Sequence, residues 1–227
     1  MRVKKIKIDK YVYVSIAGLL GSGKTTASNL LADKLGFHLF EEQVNENKFL
    51  PLFYSDPKRW AFHSQLFYLR EKASQLVKIK NLINKTHIVQ DSPIYQDYLT
   101  YAKAQHELGN MNEDEFALYE KLFKVLNRDV PTPHLIIHID ASIPTIMKRI
   151  KLRARSYEKG VDPEYIKLLL KLQKEWIDKN PKLNIVSINT DFLDIIKNRE
   201  HQKKFIDIVK SNLVNLAEEP RQRLPFP

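Results

Sequence analysis

Residues 18–25 read Gly18-Leu19-Leu20-Gly21-Ser22-Gly23-Lys24-Thr25, which matches the phosphate-loop pattern G-x-x-x-x-G-K-[ST] at every constrained position. Glycine permits backbone conformations that a Cβ atom hinders, so successive amide groups can point inward around phosphates at a helix N-terminus. In such a loop the Lys24 ammonium reaches the β- and γ-phosphates and the Thr25 hydroxyl ligates Mg²⁺. The stretch therefore predicts a binding site for a nucleoside triphosphate.

The flanks of this loop have the sequence patterns of a strand and of a helix. Residues 11–16 are rich in β-branched and aromatic side chains, and residues 25–35 carry apolar side chains at helical spacing. Long helical patterns separate four further short apolar runs that predict strands, namely residues 38–41, 87–90, 134–139 and 184–188. This alternation predicts a P-loop α/β fold of three layers, α/β/α, with a five-stranded, mostly parallel sheet and helices on both faces.

One long helix is well marked at its start. Ser55 or Asp56 can cap it, and the helical pattern of residues 57–80 opens on a proline, which is favoured at the first helical position. Gln65 and Lys72 lie two turns apart on one face of this helix. This polar pair either reads the edge of a nucleobase or marks where the helix leaves the core, and periodicity does not separate the two.

The composition bounds the number of domains and the compartment. The chain has 227 residues, of which 43% are hydrophobic, and this suffices for one α/β core. We therefore expect a single domain over residues 1–217 and a flexible C-terminal tail over residues 218–227, where three prolines lie. The absence of cysteine excludes disulfides and thiolate metal sites and fits a reducing compartment. With no signal peptide or membrane span evident, we expect a cytoplasmic protein.

The net charge of +10 suits a polyanionic ligand. Lysines are scattered along the chain and no nucleic-acid-binding motif is evident, so ATP explains the charge better than nucleic acid does. We expect neither nucleic acid nor a membrane as a partner.

Acidic residues follow the predicted strands at the edge of the sheet where ligands bind. In open parallel sheets, ligands lie beyond the carboxyl ends of the strands. The second strand ends in Glu41 and Glu42, and Asp91 follows the third. We expect Glu42 to accept a proton from an attacking hydroxyl group and Asp91 to hold Mg²⁺ together with Thr25. Asp140, after the fourth strand, is expected only to cap the following helix.

A basic cluster over residues 148–155 ends a predicted helix and continues into residues 156–160. Its arginines either form a helical lid that closes over the triphosphate and stabilises the charge of the moving phosphoryl group, or they are ordinary cations at a helix C-terminus.

Residues 53–65 carry a more specific signal than the phosphate loop. They read Phe-Tyr-Ser-Asp-Pro-Lys-Arg-Trp-Ala-Phe-His-Ser-Gln and resemble the segment F-Y-x-D-P-x-R-W-x-F-x-x-Q of the deoxynucleoside kinase family, particularly its bacterial deoxyadenosine/deoxyguanosine kinase type. The resemblance extends over residues 12–192. It implies that Tyr54 binds the 3′-hydroxyl of the sugar and that Gln65 hydrogen-bonds the base. Because Glu42 begins Glu-Gln-Val where the family has E-P-V, Glu42 is the implied base for the 5′-hydroxyl.

The resemblance also assigns the lid and the remaining site residues. The family's lid pattern R-x-x-x-R-x-R-x-x-E falls on Arg149, Arg153, Arg155 and Glu158, which implies arginines on the phosphates of ATP and Glu158 beside Tyr54 on the sugar. The implied ATP-binding residues are Gly18, Gly21, Ser22, Gly23, Lys24, Thr25, Thr26, Arg149, Arg153, Arg155, Asp191 and Phe192, the last two on the adenine side. The implied catalytic residues are Glu42, Lys24 and Arg153; the implied acceptor-binding residues are Glu42, Tyr54, Gln65, Lys72, Asp97 and Glu158; and the metal ligands are Thr25 and Asp91.

The sequence departs from the family after Asp91. There the family has an arginine that helps to position the base carboxylate, whereas this chain has Ser92. The departure implies slower catalysis or the use of another cation, for which Arg70, a lid arginine and Lys24 are candidates.

The leading hypothesis is a kinase that transfers the γ-phosphoryl group of ATP, with Mg²⁺, to the 5′-hydroxyl of a deoxynucleoside, with a purine favoured, in nucleotide salvage. The alternatives are a thymidylate-like nucleoside monophosphate kinase and a non-catalytic nucleotide-binding relative. A small GTPase is disfavoured because Asp33-Lys34-Leu35-Gly36, a D-x-x-G match, lies in the helix directly after the phosphate loop. The resemblance also implies a homodimer.

Overall fold

The architecture was analysed in a computed structural model, in which residues 11–218 are described. Its five strands form one sheet in which every pair is parallel, in the order β2-β3-β1-β4-β5. The strands are β1 (Tyr13–Gly18), β2 (His38–Phe40), β3 (Ile88–Asp91), β4 (Leu135–Asp140) and β5 (Ile185–Asn189). The five predicted strands are thus confirmed, each within two residues of its predicted start.

Helices connect the strands as right-handed parallel topology requires. They are α1 (Lys24–Leu35), α2 (Phe49–Ser55), α3 (Pro57–Leu82), α4 (Ile94–Gln96), α5 (Lys103–Glu107), α6 (Glu113–Leu126), α7 (Ile143–Arg153), α8 (Pro163–Lys179) and α9 (Arg199–Glu218). A π-helical segment, Asp97–Ala102, joins α4 to α5, and short 3₁₀ turns lie at Val44–Glu46 and Ser156–Glu158. Of the predicted tail, Glu218 ends α9, and residues 219–227 lie outside the described residues.

Helices cover both faces of the sheet, as predicted. Alternate side chains of the strands point to opposite faces. On one face, the side chains of Tyr13 and Ile136 pack with α3, α6 and α8, whereas on the other face Val14 and Ile137 pack with α1 and α9. The two hydrophobic layers confirm the three-layer α/β/α prediction.

Two helix starts test the predicted caps. At the start of α3, Asp56 Oδ1 accepts a hydrogen bond from the Arg59 amide at 3.3 Å, so Asp56 caps the helix that opens on Pro57. At the start of α7, Ser142 is the capping residue. The expectation that Asp140 caps this helix was therefore wrong, because Asp140 is still the last residue of β4 and lies two residues before the capping position.

The strand order places a crevice at the phosphate loop. β1 is central, with β3 on one side and β4 on the other, and the chain crosses from β3 past β1 to β4, which creates the topological switch point where ligands bind in open α/β sheets. In the β1–β3 pairing, Ile16 is opposite Asp91. Glu42 and Asp91 are therefore brought to the edge that also holds the loop. Within residues 11–218, no helix is long and apolar enough to cross a bilayer.

Candidate active site

The phosphate loop is a tight, glycine-rich turn that leads directly into α1. Gly18, Gly21 and Gly23 have φ angles of 146°, 75° and 109°, all in the region that favours glycine. Gly23 precedes α1 without a side-chain cap, so the first amides of this helix stay open to an anion. The buried hydroxyl of Ser22 also has no hydrogen-bond partner in the structure. The loop thus presents unsatisfied donors at a helix N-terminus.

Two residues that the sequence reasoning missed anchor this loop. The Gly18 amide donates to Gln96 Oε1 at 2.7 Å, and the Leu20 amide donates to the Tyr101 hydroxyl at 2.9 Å. Both anchors come from the helical segment after β3, far from the loop in sequence. No sequence pattern signals them, because the phosphate-loop motif describes only the loop itself.

Thr25 and Asp91 form a hydroxyl–carboxylate pair beside the loop. The exposed Thr25 hydroxyl donates to Asp91 Oδ2 at 2.6 Å, whereas Asp91 Oδ1 is buried without a hydrogen-bond partner. Burial raises the pKa of Asp91, and the nearby charge of Glu42 raises it further. An unpartnered carboxylate oxygen next to a hydroxyl fits a hard divalent cation. The positive charge of such a cation would oppose both causes of the raised pKa of Asp91.

Glu42 is the carboxylate that faces this pair from the end of β2. Its side chain is 20% exposed, and its Oε1 lies 3.4 Å from the Lys72 ammonium. Burial alone would raise the pKa of Glu42, but the positive charges of Lys72, Lys24 and Arg155 outweigh burial and lower it. Glu42 is therefore ionised at neutral pH and able to accept a proton.

Buried polar atoms without hydrogen-bond partners lie on two of the residues predicted to bind the acceptor. Gln65 Oε1 and Asp97 Oδ2 are both buried and accept no hydrogen bond. Tyr54 stacks its ring near that of Tyr157, with ring centroids 5.4 Å apart. Buried polar groups are nearly always satisfied, so these orphaned acceptors indicate a polar ligand. The predicted residues Gln65 and Asp97 thus both present free acceptor atoms.

The lid residues Arg153, Arg155 and Glu158 are already joined to one another. Glu158 is 4% exposed; Arg153 donates to both of its carboxylate oxygens, with the shortest distances at 2.8 Å, and Arg155 reaches it at 3.4 Å. The charge of Glu158 also contributes, after burial, to the raised pKa of Tyr54. The lid arginines and the implied sugar-binding pair Tyr54 and Glu158 therefore lie together.

Arg149 differs from the other lid arginines in its contacts. Its guanidinium donates to the Ser22 carbonyl at 2.6 Å and to the Thr190 carbonyl at 2.8 Å, so it ties the phosphate loop to the end of β5. Asp191 accepts hydrogen bonds from the amide and hydroxyl of Ser142, and the ring of Phe192 is 88% exposed. An adenine-side role for Asp191 and Phe192 stays a prediction, as does a phosphate contact from Arg149.

We expect Asp97→Asn to stabilise the protein at neutral and alkaline pH. Burial raises the pKa of Asp97 to about 7 from its usual 3.8, the charge of Lys72 opposing and that of Glu42 adding to this shift. Between these values the folded chain binds more protons than the unfolded chain, so Asp97 destabilises the fold increasingly as pH rises through this range. The asparagine variant should be more stable by roughly 1–3 kcal/mol above pH 7, and equal in stability near pH 4.

Urea unfolding at pH 4, 6 and 8 measures this difference. Asp178→Asn, at an exposed position on α8, is the matched control and should show no pH-dependent gain. A constant difference between Asp97→Asn and the parent across this pH range would contradict the assignment.

A phosphate loop, a metal-compatible hydroxyl–carboxylate pair and an ionised carboxylate at one sheet edge define the class of P-loop phosphotransferases. Within that class, the deoxynucleoside kinase family model matches residues 14–215, so the chain belongs to the deoxynucleoside kinase family. Kinases of this family use ATP as the phosphoryl donor.

Individual relatives agree with this assignment. The chain is 29% identical to the deoxyguanosine kinase of Bacillus subtilis over 206 residues, which cover 89% of this chain and 98% of the relative. It is 32% identical to the deoxyadenosine kinase of Lactobacillus acidophilus over 209 residues, which cover 88% and 95%. A structure of the deoxyadenosine kinase from M. mycoides, with the products dCMP and a flexible dCDP bound, superposes with a TM-score of 0.76 at 27% identity, covering 88% of this chain and 99% of that chain.

The resemblance read from the sequence is thereby confirmed. The chain is a transferase of the deoxynucleoside kinase type, and the prediction of this enzyme class from residues 53–65 was right. Neither a small GTPase nor a separate monophosphate kinase family is needed to explain the fold.

Proposed function

We propose that this protein transfers the γ-phosphoryl group of ATP to the 5′-hydroxyl of a purine deoxynucleoside, with Glu42 as the general base. The observation that carries the proposal is the ionised Glu42 beside the phosphate loop, where Lys72 and Lys24 lower its pKa against the effect of burial. Glu42 takes the proton of the 5′-hydroxyl while the 5′ oxygen of the deoxynucleoside forms a bond to the γ-phosphorus. The bond from that phosphorus to the bridging oxygen breaks, and ADP leaves.

The acceptor would be held by Gln65, Tyr54 and Glu158. Gln65 would hydrogen-bond the base through its unpaired Oε1, and Tyr54 with Glu158 would hold the 3′-hydroxyl of the sugar. Asp97 and Lys72 were also predicted to contact the acceptor, and both side chains are buried at this site. A purine is favoured because the relatives described above are named deoxyguanosine and deoxyadenosine kinases.

Stabilisation of the moving phosphoryl group falls to cations around the loop. Lys24 follows the loop glycines, and Arg153 and Arg155 form ion pairs with Glu158 in the lid. In the closed complex these three charges would meet the equatorial oxygens of the γ-phosphoryl group. Arg149 would hold the loop through the Ser22 carbonyl. Positioning and charge neutralisation supply most of the rate in phosphoryl transfer.

Thr25 and Asp91 would hold Mg²⁺, whose charge neutralises the β- and γ-phosphates when it is bound. Support comes from the unpartnered Asp91 Oδ1 and from the Thr25 hydroxyl 2.6 Å from Oδ2. These are oxygen donors of the kind that Mg²⁺ prefers.

We expect Asp91→Asn to raise the Mg²⁺ concentration for half-maximal activity by about 10- to 100-fold, because an amide replaces the charged oxygen that the cation needs. Titration of Mg²⁺ at fixed ATP measures the change. Asp140→Asn, at the corresponding end of strand β4, is the matched control and should keep the requirement of the parent. An unchanged requirement in Asp91→Asn would remove this residue from the metal site.

The function is tested by following ADP release with Mg²⁺ and ATP in the presence of each of the four deoxynucleosides, dTMP, or no acceptor. We expect acceptor-dependent turnover that is fastest with deoxyadenosine or deoxyguanosine. Turnover with dTMP alone would instead identify a nucleotide kinase, and no acceptor-dependent turnover would identify a non-catalytic relative.

The proposal also includes a homodimer and a cytoplasmic location. Exposed apolar side chains on α3 and α6, namely Val77, Leu118 and Val125, support an association with a second copy. The absence of cysteine supports a reducing compartment. Light scattering of the purified protein measures the oligomeric state.

A further inference from the structure

Lys72 is a fully buried lysine in the middle of the site. Its side chain is 1% exposed, and its ammonium lies 3.4 Å from Glu42 Oε1 while donating to the backbone carbonyl of Asp91. A buried ammonium is costly unless it is paired and hydrogen-bonded. Both partners belong to residues of the proposed chemistry: Glu42 is the proposed base, and Asp91 is the proposed metal ligand.

The other cations that could stand in for the missing arginine are engaged elsewhere. Arg70 is 66% exposed and paired with Glu71 at the surface. Arg153 and Arg155 both bind Glu158, and Lys24 donates to the Leu19 carbonyl at 3.3 Å. In the part of the chain that the structure describes, Lys72 is the cation that forms an ion pair with Glu42.

The turn after β3 shows why such a cation is needed there. Ser92 is fully buried with φ 72°, and its hydroxyl accepts a hydrogen bond from Gln96 at 3.3 Å. A serine has no charge to offer Glu42, and a non-glycine residue at this φ is strained and must be held by its surroundings. The Lys72 ammonium donates to the carbonyl of Asp91, the residue directly before Ser92. Lys72 therefore brings a positive charge to this turn and also anchors its backbone.

We propose that Lys72 is a positioning residue that replaces the absent arginine: it orients Glu42 towards the 5′-hydroxyl and holds the turn after β3, and it does not select the nucleobase. The inference rests on the proposed function, in which Glu42 is the base. It departs from the family resemblance, which implied that Lys72 contacts the acceptor and shapes base preference.

The first test separates positioning from base selection by a split of kcat against KM. We expect Lys72→Met to lower kcat by about 10- to 100-fold, by a similar factor for every accepted deoxynucleoside, while KM for each changes less than about threefold. Lys78→Met, at an exposed position on the same helix, is the control and should match the parent. A changed ranking of the deoxynucleosides, with kcat for the best one preserved, would overturn the proposal.

The second test uses the double variant Lys72→Met with Glu42→Gln. If Lys72 acts chiefly through Glu42, the double variant loses much less activity than the product of the two single losses, since residues that act as a unit are not additive. Multiplied losses would overturn the proposal. If Glu42→Gln itself keeps the activity of the parent, the proposed base fails, and this outcome is distinct from a failure of Lys72 alone.

A third test keeps the proposal falsifiable if Lys72→Met folds poorly. Because the chain contains no cysteine, Lys72→Cys carries a single thiol that can be alkylated in denaturant before refolding. Aminoethylation restores an ammonium at nearly the length of lysine, whereas ethylation leaves a neutral chain. We expect activity to return at least about tenfold with the first reagent and not with the second. Equal recovery with both, or recovery with neither, would overturn the proposal.

Discussion

Glu42→Gln is expected to lower kcat by about 100- to 10,000-fold, the range over which a positioned general base contributes to catalysis. Glutamine keeps the shape of the side chain but cannot take the proton of the 5′-hydroxyl. The charges that lower the pKa of Glu42, led by Lys72, would remain without their partner. The loss should therefore appear in the chemical step, with little change in the affinity for ATP.

The neighbouring carboxylate is the control for this variant. Glu41 is exposed, and only its backbone carbonyl is used, as the acceptor for Gln75 at 2.7 Å. Glu41→Gln should therefore keep kcat within about twofold of the parent, as surface substitutions usually do. Single-turnover kinetics at saturating ATP and equilibrium titration of ATP separate the chemical step from binding. Equal losses in both variants would show that the loop after β2 has been disturbed and that Glu42 has no special role.

The parts of the site that lie in one stretch of chain could be predicted from the sequence. The phosphate loop carries its own glycines and its own lysine, and the short apolar runs identify the strands. The rule for parallel sheets then brings Glu42 and Asp91 to the loop without any knowledge of packing. The hydrogen bond from Thr25 to Asp91 agrees with that reasoning.

Contacts that join distant segments could not be predicted in this way. Gln96 accepts from the Gly18 amide and from Gln173, and Gln173 in turn contacts His138 at 3.1 Å. Glutamines have no periodic signature, since a polar residue on a buried helix face is equally typical of a helix leaving the core. This buried chain of hydrogen bonds connects the start of the phosphate loop to α4, α8 and β4.

Lys72 and Arg149 show the same limit in a sharper form. Their positions in sequence suggested contacts with ligands, but their side chains are long and can reach several partners. The structure directs Lys72 to Glu42 and Arg149 to the Ser22 carbonyl. Which partner a long cation chooses depends on the burial and charge around it, and neither is visible in residue spacing.

The conformation of the phosphate loop leads to the second large expected effect, that of Gly18→Ala. A Cβ atom at Gly18 would lie 2.6 Å from Ser22 Oγ and 2.7 Å from the Ile139 carbonyl oxygen, and the φ of 146° is itself unfavourable for alanine. The carbonyl belongs to the adjacent strand β4, which is paired on both sides, and it cannot move aside. We expect a loss of roughly 2–4 kcal/mol in stability, because overpacking and backbone strain act together.

The same substitution at Gly36 separates strain from crowding. Gly36 ends α1 with φ 71°, and nothing lies within 4 Å of the Cβ position there. Gly36→Ala should therefore cost only about 1 kcal/mol, with normal ATP binding. Gly18→Ala should also lose ATP affinity by at least about tenfold, because the shifted loop no longer aims its amides at the phosphates. Thermal unfolding and ATP titration of both variants measure these effects. Equal stability losses at the two glycines would mean that the Ile139 carbonyl yields to the new methyl group, and that the loop is held less tightly by β4 than its geometry indicates.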